Sequence, residues 1–170
     1  EAFPIAAKVN AHRSKTGVDL VQQVRSLGTY VSNHTLSHPQ LITLKPQSAK
    51  EEITGGITST YLRPPYGDYS PQVKHLAESL GYRLCTWNID TDDWRLLPNK
   101  AYPSPAELVR RVHVQLMGIP DGTPVVILGH YYTNYPLALQ AILNEVKKMG
   151  NSVCQAPKTA TTANAPYPIC

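Results

Sequence analysis

Charge is scarce in this sequence. Only 16% of its 170 residues are Asp, Glu, Lys or Arg, against about 25% in an average soluble domain. Together with 42% hydrophobic residues, that scarcity excludes a disordered chain, which needs high charge and little apolar surface to bury. No apolar run approaches the roughly 18–20 residues of a helical membrane span, so none is expected to cross a bilayer. The 16 basic and 12 acidic residues are scattered, a mild bias that leaves no footprint for nucleic acid. Phenylalanine is nearly missing, with one Phe against ten Tyr. Rings that carry a hydroxyl suit polar ligands such as sugars, although ordinary tyrosine usage accounts for the count equally well. A basic leader is missing too, because Glu1 runs directly into Ala2-Phe3-Pro4-Ile5. The chain is then either cytosolic or a processed, mature form.

What is plentiful lies at the end. From Gln155 the chain reads QAPKTATTANAPYPIC, a Pro/Thr/Ala composition of extended extracellular segments. We therefore expect one domain over residues 1–155, a tail over 156–170, and a secreted protein of the extracellular space or cell wall. Cys154 and Cys170 bracket the tail, and a disulfide between them would tie it back, the alternative being two free thiols. Cys85 lies in an apolar run over residues 82–89 and is expected to be an inert buried thiol.

Strand and helix signals alternate. Residues 3–9 suggest a strand, and 18–27 a helical stripe stopping at Gly28. Residues 29–33 suggest a short strand, and Tyr61-Leu62 another that ends at Arg63-Pro64-Pro65. Ser70-Pro71 is an N-cap followed by proline at the first helical position. Residues 84–89 suggest a strand, Ser104-Pro105-Ala106-Glu107 opens a helix as a capping box, and 125–128 form a buried-type strand. A periodic helix over 136–149 and a short strand over 152–154 complete the pattern. Between Leu41 and Arg63 only residues 47–53 suit a helix. Such βα alternation implies a parallel sheet or barrel, with the site at the carboxyl ends of the strands. His34, Arg63, Asp90 to Trp94 and His130 each follow a strand, so four strand ends should deliver polar groups to one face.

Half of the six aspartates, Asp90, Asp92 and Asp93, crowd into four positions. His34-Thr35-Leu36-Ser37-His38 places two imidazoles at a spacing that can hold one tetrahedral zinc, although two solvated loop histidines fit as well. These segments, with Arg63-Pro64-Pro65-Tyr66-Gly67, Asp90-Thr91-Asp92-Asp93-Trp94 and Leu128-Gly129-His130, resemble in order and context the metal-dependent polysaccharide deacetylases. That family includes fungal chitin deacetylases, bacterial peptidoglycan deacetylases and nodulation-type chitooligosaccharide deacetylases. The resemblance covers roughly residues 1–155.

The resemblance implies an α/β fold, an irregular and incomplete (β/α) barrel. It makes His34 and His38 ligands of zinc or another divalent transition metal, which would polarise an acetamide carbonyl and acidify a bound water. It makes Arg63 the arginine that positions the catalytic base, and the Tyr66 backbone N–H the donor to the oxyanion at the substrate. It makes His130 the acid that protonates the leaving amine, and Asp93 the carboxylate that pairs with it and raises its pKa. Trp94 would line the sugar groove and Leu128 the pocket for the acetyl methyl. An Arg63 that merely caps strands, and aspartates that merely cap a turn, remain the bland alternatives.

One motif of the family has no counterpart. Its Thr-Phe-Asp-Asp-Gly supplies the base and a third metal ligand, yet Glu1 and Asp19 are the only acids before His34. Three explanations compete: an upstream segment that the active enzyme needs, a pseudoenzyme without a base, or a replacement in which Asn10 or His12 completes the zinc shell. A barrel lacking a strand exposes sheet edges, which the tail, a partner or a second copy would have to cover. The expected function is hydrolysis of the acetamide in chitin or a related N-acetylglucosamine polymer. The alternative is an inactive homologue that binds metal or glycan without turnover. His75 and His113 are expected on helix surfaces. The one sequon, Asn33-His34-Thr35, falls in the metal loop and should stay unmodified.

Overall fold

The computed structural model describes residues 1–153. Cys154, Cys170 and the tail, with the bridge expected between those cysteines, lie outside the described residues. The described chain forms two compact units, residues 1–86 and 87–153.

The first unit begins with helix α1 (Ala6–Thr16) where a strand was expected. The amide of Ala6 donates to the Thr35 carbonyl and that of Ala7 to Leu36, at 3.2 and 2.8 Å. Carbonyls of a distant loop thus satisfy donors that a helix start leaves without partners. Ala-Ala-Lys is also a better helix former than strand former. Only Ala2 joins a strand-like bridge, to Val31. Asn10 and His12 therefore sit on a helix and not at a strand end.

Helix α2 (Leu20–Ser26) starts at Asp19, whose carboxylate accepts the Gln22 amide. The strand expected over 29–33 is reduced to isolated bridges at Val31 and Asn33. Helix α3 (Pro46–Thr54) contains the segment expected to be helical. Strand β1 (Tyr61–Leu62) is followed by α4 (Pro71–Ser79), whose Ser70 cap accepts the Val73 amide, and by β2 (Arg83–Leu84). Strands β1 and β2 pair in parallel, Tyr61 opposite Arg83 and Leu62 opposite Leu84. Leu41, Ile53, Leu62, Val73, Ala77 and Leu84 form the core beneath them.

The second unit repeats the scheme. Strand β3 (Ile89–Asp90) leads to α5 (Pro105–Met117), then β4 (Ile127–Leu128) and α6 (Tyr135–Lys148). Strands β3 and β4 are parallel, with Ile89 opposite Ile127 and Asp90 opposite Leu128. Leu108, Val112 and Leu116 on α5 pack with Ala138, Ile142 and Val146 on α6. Both sets recur every fourth residue, the spacing of one helix face. The strand expected over 84–89 is two strands, one in each unit. Ser152 and Val153 are not in a strand.

Cys85 corrects a second expectation. It is fully buried as foreseen, but it is disulfide-bonded and so is no free thiol.

Candidate functional site

In the first unit the loop after Asn33 is built from the inside. Asn33 is fully buried; its Nδ2 donates to the Ile53 carbonyl at 2.8 Å, and its Oδ1 accepts the Thr35 amide at 2.8 Å. No glycan can reach that amide in the folded protein. Thr35 and His38 adopt left-handed backbone, φ 63° and 70°, and the His38 amide is held by Thr35 Oγ1 at 3.0 Å. The resulting tight loop brings the His34 and His38 rings together edge to face, centroids 4.7 Å apart. The Tyr66 ring lies 4.8 Å from that of His38.

His34 is oriented by a group that the sequence did not single out. Its Nδ1 lies 2.7 Å from the backbone oxygen of Arg63. A carbonyl only accepts, so Nδ1 carries the proton and Nε2 keeps the lone pair that a metal needs. The β1–Asn33 bridge places that carbonyl, since the Arg63 amide donates to the Asn33 oxygen at 2.9 Å. The Arg63 side chain is buried, its Nε 3.4 Å from the Cys85 oxygen and its guanidinium 3.9 Å over the Phe3 ring. Pro64 and Pro65 then lead to Tyr66 at φ 62°. Here the amides of Gly67 and Asp68 close the turn onto Pro64 and Pro65.

The donor chemistry suits a borderline-soft divalent cation, but only in part. His34 and His38 supply two nitrogens, and no group of three or more metal-binding side chains occurs among the described residues. A tetrahedral zinc would take its remaining ligands from elsewhere.

In the second unit the chemistry centres on Asp93, which is fully buried. Its carboxylate accepts the His130 amide at 2.7 Å, the His130 Nδ1–H at 2.8 Å and the Thr133 hydroxyl at 2.5 Å. Burial, the largest effect, opposes the charge. The hydrogen bonds from His130 and Thr133 outweigh it and hold the carboxyl below the ordinary aspartate range. The proton on His130 Nδ1 is fixed by this pairing, which leaves Nε2 as the exchangeable nitrogen. Helix α5 braces the preceding turn. Arg111 donates to the carbonyls of Thr91 and Asp92 at 3.0 and 3.1 Å, and Gln115 bonds both backbone groups of Asp90. Leu128 is buried, and its carbonyl accepts the Thr91 hydroxyl at 2.8 Å. Around His130 stand Tyr132, at a centroid distance of 5.3 Å, and then Tyr131 and Tyr102 against Tyr132. Trp94 is exposed, with the Arg95 guanidinium 5.1 Å from its ring.

Residues 2–85 match the polysaccharide deacetylase family model. A chitin deacetylase of Amylomyces rouxii is 40% identical over 76 residues, 39% of this chain and 18% of that protein. A peptidoglycan-N-acetylglucosamine deacetylase of Listeria monocytogenes is 30% identical over 141 residues, 77% of this chain and 27% of that protein.

The chain carries a polysaccharide deacetylase domain over residues 2–85.

It spans between 18% and 27% of those two curated relatives. A pseudoenzyme of carbohydrate esterase family 4 from Bacillus anthracis superposes with a TM-score of 0.72 at 20% identity, covering 88% of this chain and 50% of that one. At that identity the likeness carries the fold alone. The fold of this chain is thus the (β/α) barrel-like α/β one, mixed helix and strand. Within the first unit His34, His38 and Tyr66 come together and Arg63 orients His34; within the second, Asp93 and His130 do. Sequence reasoning missed the Arg63 carbonyl, Thr133, Arg111 and Gln115. Only the 108-112-116 stripe, which places Arg111 and Gln115 along the flank of the buried face of α5, carried any signal for them.

Proposed function

We propose that this protein is a metal-dependent deacetylase-type hydrolase acting on the acetamide of chitin or a related N-acetylglucosamine polymer. The observation that carries the proposal is the buried Asp93 locked on Nδ1 of a partly exposed His130. That arrangement presents one nitrogen for proton exchange in a defined tautomer. A zinc on His34 and His38 would polarise the carbonyl and acidify a bound water. In this reading water adds to the acetamide carbon, the C–N bond breaks, and His130 gives the departing amine a proton that the one lost by the water replaces. Acetate and a free amino sugar result. The Tyr66 amide would face the oxyanion, Leu128 the methyl group and Trp94 a sugar ring. Tyr102, Tyr131 and Tyr132 would extend the sugar-facing surface. Secretion to the extracellular space or cell wall belongs to the same proposal and rests on the composition of the tail.

A second reading is binding without turnover. Of the acids in the first unit, Glu1 hydrogen-bonds Ser32, and Asp19 caps α2 and pairs with Arg13 at 3.6 Å. Both are in structural use.

One experiment separates the two. The full chain is loaded with zinc, and acetate is measured on chitooligosaccharides alongside metal content and oligosaccharide binding. Acetate release that His34→Ala and His130→Ala abolish is expected. Binding with no acetate at high protein and saturating zinc would establish the second reading, and substoichiometric zinc would mark the histidine pair as vestigial.

A further inference from the structure

The sequence gives Thr133 no part in the Asp93–His130 pair, yet its hydroxyl touches both members. Its Oγ1 lies 2.5 Å from Asp93 Oδ2 and 2.8 Å from the His130 carbonyl oxygen. It also accepts the Tyr135 amide at 3.1 Å, on the first residue of α6. The two carboxylate oxygens are divided: Oδ1 takes His130 Nδ1–H, and Oδ2 takes the His130 amide and Thr133. We propose that Thr133 is a positioning residue that holds the Asp93 carboxylate with Oδ1 set on His130 Nδ1.

Without the hydroxyl, Oδ2 would keep one neutral amide donor inside a fully buried site. A carboxylate so placed is less stabilised in its charged form and freer to rotate. The single hydroxyl proton is shared between Asp93 and the His130 carbonyl, and the oxygen accepts the Tyr135 amide at the start of α6, so the position of that helix bears on the carboxylate. The other groups that bear on Asp93 are fixed in place. His130 faces it directly, and Asp93 in turn opposes ionisation of the Tyr132 phenol after burial has already raised it. From α5 the Arg111 guanidinium, itself paired with Glu107, reaches the neighbouring carbonyls of Thr91 and Asp92.

This inference rests on the role proposed for His130, and its test has a readout independent of turnover. In the full chain, NMR follows water exchange of the His130 Nδ1 proton and the acid titration of the Asp93 carboxyl carbon. In Thr133→Val the exchange should quicken on the order of tenfold, the equivalent of losing a charge-assisted hydrogen bond. The carboxyl should titrate at higher pH than in the wild type. Thr133→Ser, which keeps the hydroxyl, should restore both. If Thr133→Val does not fold, Thr133→Ala is measured in the same way. Unchanged exchange and titration in the hydroxyl-free variant would overturn the proposal. So would variants that unfold without the hydroxyl but are not rescued in these signals by serine. A wild type that shows the signals but releases no acetate would instead sink the catalytic reading and leave the positioning role standing.

Discussion

Asn33 and Gly56 share a space with no room for another atom. A Cβ on Gly56 would lie 1.9 Å from Asn33 Oδ1 and 2.6 Å from its Cγ. The asparagine cannot step aside, because its amide is tied to the Ile53 carbonyl and the Thr35 amide. Gly56→Ala should therefore destabilise the first unit by about 1–3 kcal/mol, the usual cost of overpacking a filled site, read as a shift in the denaturant midpoint. It should also weaken metal retention, since the same asparagine begins the His34–His38 loop. A midpoint within error of the wild type would show that the loop can relax, contrary to the packing. Asp93 supports a prediction with a definite sign. Its folded pKa lies below the ordinary value, so its contribution to stability is present above the unfolded value of about 3.9 and is lost as pH falls through the folded one. Asp93→Asn should lower stability at neutral pH. The gap from the wild type should close as acid is added below about pH 4, followed by urea denaturation across pH. A gap that persists unchanged into strong acid would place the carboxylate's contribution elsewhere.

Helix ends were the most legible elements, because a cap is a local event between residues three apart. Ser70 and Ser104 cap their helices as their sequences indicate, with prolines at the first helical position. Ser104→Ala should cost about 1 kcal/mol, as loss of a side-chain cap typically does, and serine-to-threonine should retain most of it. The capping box is only half made. Ser104 holds the Glu107 amide, but the Glu107 carboxylate accepts from Arg110 and Arg111. Those hydrogen bonds lower its pKa to about 2. Any stability from this cluster should persist through mild acid and fade only towards pH 2, as Glu107→Gln compared with the wild type in acid would show. Strands were harder to place. Each has two residues, too short for an alternation to show, and the 82–89 run reads as one strand because no glycine or proline marks its break at residues 85–88. Helix α1 escaped for another reason: its first amides are satisfied by Thr35 and Leu36, a contact that no local pattern encodes. His34, His38 and His130 stand in motifs that the sequence shows, while the groups that orient them act through backbone carbonyls or a single hydroxyl.

At the scale of the molecule, each unit buries a small core between a two-stranded sheet and its helices, and sheets that small are marginal by themselves. Covalent reinforcement then matters more than in a larger domain. The chain contains three cysteines, and the fully buried Cys85 is in a disulfide. Cys85 is the only cysteine among the described residues. Such a bond stabilises mainly by restricting the unfolded chain, typically by about 2–4 kcal/mol. The sulfur also lies 3.6 Å from Arg63 Nη2, and the Cys85 carbonyl accepts Arg63 Nε. Loss of the bond should thus loosen the segment whose Arg63 carbonyl orients His34. Reduction should lower the thermal midpoint and, on the metal role proposed for His34 and His38, also reduce the metal that the pair retains. Differential scanning with and without reductant, beside metal analysis of both samples, measures the two effects together. Non-reducing peptide mapping should find Cys85 protected from alkylation in denaturant and identify its partner. Alkylation of Cys85 in denaturant before any reduction would remove the bond from the account of stability, and the histidine pair would then depend on the Asn33 loop alone.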